Sequence, residues 1–143
     1  MLIDPSNSHC QFIIGDSEPF FIRLYSLTVL LKSPHQELED LIKKIKTRLI
    51  LSPEAEEFLY SISKEKTLRK GEVLIRQGQV VKNTFFVSAG CLRSYCTDKN
   101  GKENTLLFAI KDWWISDYIA IHTDELATLT VECLTESKVI EFN

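Results

Sequence analysis

The apolar positions of this chain change period twice. Residues 1–32 show no clear period, with short apolar runs separated by the turn formers Pro5, Gly15 and Pro19. They read as an N-terminal arm: a strand-like extension, a disordered tail or a start outside the domain. From Ser33 the period becomes helical. In "SPHQELEDLIKKIKTRL", Ser33 is placed as N-cap, Pro34 at the first helical position and Gln36 as the far half of a capping box. Leu38, Leu41, Ile42, Ile45 and Leu49 then form one stripe. "SPEAEEFLYSI" predicts a second helix, capped by Ser52, with Pro53 following and Phe58, Leu59 and Ile62 turned inward.

After Lys66 short strands punctuated by glycine take over. "EVLIRQG" ends at Gly78 and "NTFFVSAG" at Gly90, and "CLRSYCTD" runs through the turn "KNG" into "KENTLLFAI", a hairpin pattern. "LATLTVECL" and "KVIEF" are the last strand candidates. Turn signals every eight to twelve residues predict a sheet closed on itself. The expected domain is therefore 33–143: two lead-in helices followed by a small all-β jelly roll, a mainly β fold with N-terminal helices (α+β).

A chain of 143 residues holds one domain with a real core. A net charge of −3 argues against a protein whose main task is gripping nucleic acid, which needs a surplus of Lys and Arg. The apolar run "FFIRLYSLTVLL" at 20–31 is broken by Arg23 and falls short of a spanning helix. The acidic residues before it and the missing cleavage signal fit no signal peptide. A cytoplasmic protein without a membrane segment is expected.

Cys10, Cys91, Cys96 and Cys133 form no C-x-x-C pair and have no histidine at ligand spacing, so free thiols and no metal site are expected. An enzyme on a jelly-roll plan, as in metal-dependent cupins, needs two or three histidines converging inside the barrel. Only His122 lies on the β portion, which disfavours that reading. Iron–sulfur or haem sensing lacks its ligands for the same reason.

The stretch "RKGEVLIRQGQVVKNTFFVSAGCLRSYCTDKNGKENTLLFAIKDWWISD" (69–117) resembles the cyclic nucleotide-binding domain of the Crp–Fnr transcription regulators. It is most similar to the divergent branch whose sensor domains carry "GCLRSY" and "WWISD". The resemblance runs from about Leu51 to the end, with Gly71, Gly78, Gly90 and Gly101 at the family's turn positions. It implies a double-stranded β-helix, or jelly roll, and a ligand-sensing regulatory role without enzymatic activity.

In members that bind cyclic AMP or cyclic GMP, a Gly-Glu pair opens a short helix. The glutamate holds the ribose hydroxyl, helix-end amides face the cyclic phosphate, and an arginine pairs with that phosphate. Here Ser116-Asp117 stands in place of Gly-Glu, the arginine position falls on Ala127 or Leu126, and no arginine follows Arg93. By resemblance the candidate ligand-binding residues are Trp114, Ile115, Ser116, Asp117, Ala127, Thr128 and Leu129. Arg93, or Lys111, is the candidate substitute charge. A hydrogen bond to a charged group contributes about 1.5–3 kcal/mol, so the missing guanidinium weakens binding by about ten- to a hundredfold. Weak, altered or absent cyclic nucleotide binding is the expectation, with no other cofactor.

Three side chains keep two readings each. Asp117 either accepts from a ligand hydroxyl or caps the helix beginning near Tyr118. Arg93 faces either solvent or the ligand. Trp113 and Trp114 either fill the core and cover a helix, or stack on a base. Relatives continue into a dimerisation helix and a helix-turn-helix, whereas this sequence stops at Asn143. A regulator fragment or a free-standing sensor is expected, one that pairs with a second copy or a partner protein and does not itself bind DNA specifically.

Overall fold

The computed structural model describes residues 35–143. The 1–32 arm, Cys10, Ser33 and Pro34 lie outside the described residues. Helix α1 (Gln36–Lys46) has His35 at its N-cap position, without a side-chain capping bond. Gln36 donates to Asp40 at 3.2 Å, one turn on, and the Ser33 half of the expected capping box lies outside the described residues. Leu38, Leu41 and Ile42 are buried, and Ile45 packs beside them. Leu49, expected on the same stripe, is 64% exposed, because the helix has already ended at Lys46. Helix α2 (Pro53–Ile62) begins as its sequence predicts, with the Ser52 hydroxyl accepting from the Ala55 amide at 3.3 Å. Leu59, Tyr60 and Ile62 form its packing side, which leaves Phe58 outside at 61% exposure, contrary to the expected inward set.

Eight strands follow: β1 (Ser63–Leu68), β2 (Val73–Ile75), β3 (Thr84–Ala89), β4 (Cys91–Thr97), β5 (Glu103–Ile110), β6 (Trp114–Ile115), β7 (Thr130–Cys133) and β8 (Ser137–Phe142). They form two antiparallel four-stranded sheets, ordered β1-β8-β3-β6 and β2-β7-β4-β5. Sequence reading did not separate β1, whose charged "SKEKTL" carries almost no apolar signal, or the two-residue β6. The predicted strand "LATLTVECL" is cut to Thr130–Cys133, because its first residues belong to a loop.

The side chains explain the layering. Phe85, Val87, Ile115 and Val139 from the first sheet meet Leu92, Ala109, Val131 and Cys133 from the second, filling the interior. Full burial of each aliphatic side chain there contributes roughly 1.5–3 kcal/mol. On β3 and β8 the alternate residues Phe86, Ile140 and Phe142 point the other way and pack against Leu38, Leu41 and Ile42 of α1. The first sheet is thus buried on both faces. Gly90 joins β3 to β4 at φ 91°, where a Cβ would lie 2.3 Å from the Ser137 hydroxyl. No other residue fits that corner.

Candidate functional site

Strand β6 delivers the segment that sequence reading marked out. Ile115 pairs with Phe85 and is completely buried in the interior. Ser116, next in line, donates its hydroxyl to the Asn83 carbonyl at 2.7 Å. Asp117 then caps helix α3 (Tyr118–Thr123), accepting from the Ala120 amide at 3.1 Å. Its second carboxylate oxygen accepts from the Thr128 amide at 2.8 Å and the Thr128 hydroxyl at 3.0 Å. Asp117 is 1% exposed. Burial works to raise its pKa, but the bonds from Ala120, Thr128 and Leu129 outweigh that and hold it below the usual aspartate value. One carboxylate therefore starts the helix and closes the loop that follows it.

Backbone pairs secure the same loop from its other side. The Gly78 amide donates to the Ala127 carbonyl at 2.7 Å, the Ala127 amide donates to the Gln79 carbonyl at 2.8 Å, and Val80 bridges Leu126. The Thr130 hydroxyl accepts from the Gln77 amide at 3.1 Å. Among the described residues no buried side-chain nitrogen or oxygen lacks a partner. The charges of the segment are mostly negative: beside Asp117 it carries exposed Asp124 and Glu125, with His122 exposed on α3.

The structure thus brings together Ile115, Ser116, Asp117, Ala127, Thr128 and Leu129. It places two other candidates elsewhere. Trp114 pairs with Phe86 and packs its ring against Phe86 and Phe142, on the helix-covered face of the first sheet. Trp113 is 49% exposed, so neither tryptophan fills the interior, where Ile115 sits instead. Arg93 alternates with inward-facing Leu92 and so lies on the outer face of the second sheet. There its guanidinium pairs with Glu103 at 2.6 Å and Glu132 at 2.7 Å and lies over the Tyr95 ring. Those two carboxylates, Glu132 foremost, raise its pKa. Lys111 lines a cavity of about 270 Å³ against α1, together with Lys44, Phe86 and Asp112. Arg93 and Lys111 thus contact groups other than those gathered around Asp117.

The groups that sequence reasoning missed are Asn83, Gly78 and Gln79. They act through backbone atoms, which no side-chain pattern encodes. Among the described residues no three His, Cys, Asp or Glu side chains converge as metal ligands. Cys91, Cys96 and Cys133 are free thiols, and burial pushes the Cys133 thiol up to about 11, which keeps it protonated and unreactive. No helix among the described residues is long and apolar enough to cross a membrane.

Comparison with known proteins agrees with the fold. The family model described as "Cyclic nucleotide-binding domain" matches residues 65–143. No curated protein matches the chain significantly. Among solved structures, the N-terminal domain of a transcriptional regulator from Streptomyces coelicolor A3(2) is similar at 26% identity and a TM-score of 0.54, over 65% of this chain and 66% of that one. The sensor domain of the transcriptional regulator DNR from Pseudomonas aeruginosa superposes with a TM-score of 0.57 at 21% identity, over 64% of each chain. The catabolite activator protein of Thermus thermophilus does so with a TM-score of 0.55 at 16% identity, over 64% of this chain and 43% of its own. The chain thus spans less than two thirds of the length of these solved proteins.

Proposed function

The chain belongs to the cyclic nucleotide-binding domain family, and from that premise we propose that it is the regulatory sensor domain of a cytoplasmic Crp–Fnr type transcription regulator whose phosphate cassette is closed by its own residues. The observation that carries this reading is the Asp117–Thr128 clasp. The carboxylate aligned with the ribose-binding glutamate of the family faces inward and is engaged by Ala120 and Thr128. No arginine follows Arg93 to pair with a cyclic phosphate. Binding of cyclic AMP or cyclic GMP would have to break three hydrogen bonds to Asp117 and still leave the phosphate without a guanidinium. Regulation then runs through a ligand of other chemistry, or through contact with a second copy or another protein, rather than through catalysis. The contact version is favoured by one observation: β5 leaves Leu106, Phe108 and Ile110 at least half exposed.

The test is a titration of the 143-residue chain with cyclic AMP and cyclic GMP, followed by calorimetry and by tryptophan fluorescence. No saturation up to about millimolar nucleotide is expected. Saturable binding at about micromolar concentration would overturn the closed-cassette reading.

A further inference from the structure

The positive charge of this acidic chain gathers in two stretches, 43–48 and 64–82. Residues 64–82 carry six basic and two acidic side chains, in a protein of net charge −3. Both acids are engaged: Glu65 accepts from the Leu38 amide and Glu72 from the Arg69 amide. Among the described residues Lys66 alone of the six cations has an ion-pair partner, Glu141 at 2.7 Å. Lys64, Arg69, Lys70, Arg76 and Lys82 are exposed and form no ion pair with any described residue. On α1 and the outer face of the second sheet, by contrast, Lys43, Lys44, Lys46 and Arg93 are all paired. Clustered unpaired like charges repel one another, so their concentration is a surface property that needs a counterpart.

Two of these cations, Lys64 and Lys82, line openings beside β1. β1 is the outer strand of one sheet and β2 the outer strand of the other, and a tight turn bearing Arg69 and Lys70 joins them. Between the two strands lies a cavity of about 320 Å³, reaching from Lys66 and Leu68 on β1 to Val73 and Leu74 at β2. A second cavity of about 250 Å³ shares Leu74, Phe85 and Glu141 with it and adds Val80 and Lys82. A third of about 340 Å³ shares Glu141 and adds Lys64 and Asn143. The three adjoin as one groove, apolar at Leu74 and Val80, with Lys64, Lys66 and Lys82 around it and Glu72 as a carboxylate in its lining. Glu141 stands in its floor, held there by Lys66 and by the Asn83 amide at 2.7 Å.

We infer that this seam between β1 and β2 is a docking groove for an extended acidic segment of a partner protein, with apolar side chains interspersed among its carboxylates. The charge of the rim selects the carboxylates, and Leu74 and Val80 accept the apolar residues. A nucleic acid suits the groove less well, because its phosphates leave the apolar floor at Leu74 and Val80 uncovered. The groove adjoins the cassette loop at Val80 and Asn83, but the cations Lys64 and Lys82 lie outside that loop, so the inference does not require a nucleotide to bind.

The probe is a fluorescein-labelled 12-residue peptide of alternating Glu, Asp and Leu, titrated with the full chain by anisotropy. Its Gln/Asn counterpart and a single-stranded oligonucleotide run alongside. Saturable binding of the acidic peptide is expected in the sub-millimolar range, with backbone amide shifts centred on Lys66, Leu74 and Asn83. The variant Lys64→Glu/Arg69→Glu/Lys70→Glu/Lys82→Glu is expected to weaken it by about tenfold or more, while Lys99→Glu/Lys102→Glu on the β4–β5 hairpin changes it by less than about twofold. If the fourfold variant melts early, Lys64→Gln/Lys82→Gln replaces it, with about threefold weakening expected. Absence of saturation, equal weakening by the hairpin variant, shifts centred elsewhere, or tighter binding of the oligonucleotide or the neutral peptide would each overturn the proposal.

Discussion

The cassette loop and the outer face of the second sheet each hold a charged side chain surrounded by partners, yet they solve opposite problems. Asp117 is almost wholly buried and is satisfied by neutral donors, two amides and a hydroxyl. Arg93 sits at the surface, satisfied by two carboxylates from β5 and β7. Inside, an unpaired charge is costly and every bond is strengthened by the lack of water. Outside, water screens the pair and little is at stake. A charge near a family's ligand position is therefore not by itself a ligand group. What matters is whether its bonding capacity is already filled by the chain.

That contrast predicts unequal consequences. Asp117→Ala leaves the Ala120 and Thr128 amides without their acceptor and is expected to lower stability by about 2–4 kcal/mol, read from urea unfolding at neutral pH. A loss below about 0.5 kcal/mol would mean that the clasp is peripheral. Asp117→Asn sharpens the point through pH. The folded pKa of Asp117 lies below the unfolded one, so its charge contributes fully above the ordinary aspartate value and is lost as pH falls through the depressed value. The stability gap between wild type and Asp117→Asn should accordingly narrow on acidification through that range, whereas a constant gap would assign the effect to packing.

Effects on the outer face should be smaller. Arg93→Met is expected to cost about 1 kcal/mol, diminishing with added salt, and to leave any nucleotide response as it was. A selective loss of nucleotide response in that variant would return Arg93 to the ligand site. Glu103→Gln removes the more exposed carboxylate of the pair and should change the melting temperature by no more than a degree or two, about 0.5 kcal/mol or less.

How far the sequence discloses this arrangement depends on the range of the interaction involved. The Ser52 cap, the β4–β5 hairpin and the φ 91° corner at Gly90 are local or depend on one residue type, and they are legible. Asp117 is legible as a helix cap for the same reason. Its hold on Thr128 lies eleven residues along the chain, the partner of Ser116 lies just before β3, and those of Arg93 come from other strands. Those contacts exist only once the sheets have formed. Phe58 and Leu49 mislead because a helical stripe says which residues share a face, not where the helix stops or which flank is covered.

The strand order also sets a timetable. β1 pairs with β8, joining Ser63 to Phe142. During synthesis at about 5–20 residues per second, β1 therefore waits roughly 4–16 s for that partner to be made. β3 waits almost as long, for it too lies against β8. Through that interval the alternating Lys64, Glu65 and Lys66 of β1 make the waiting strand a poor template for other chains. The same charges that hide β1 from the hydrophobic pattern protect the nascent domain until β8 arrives.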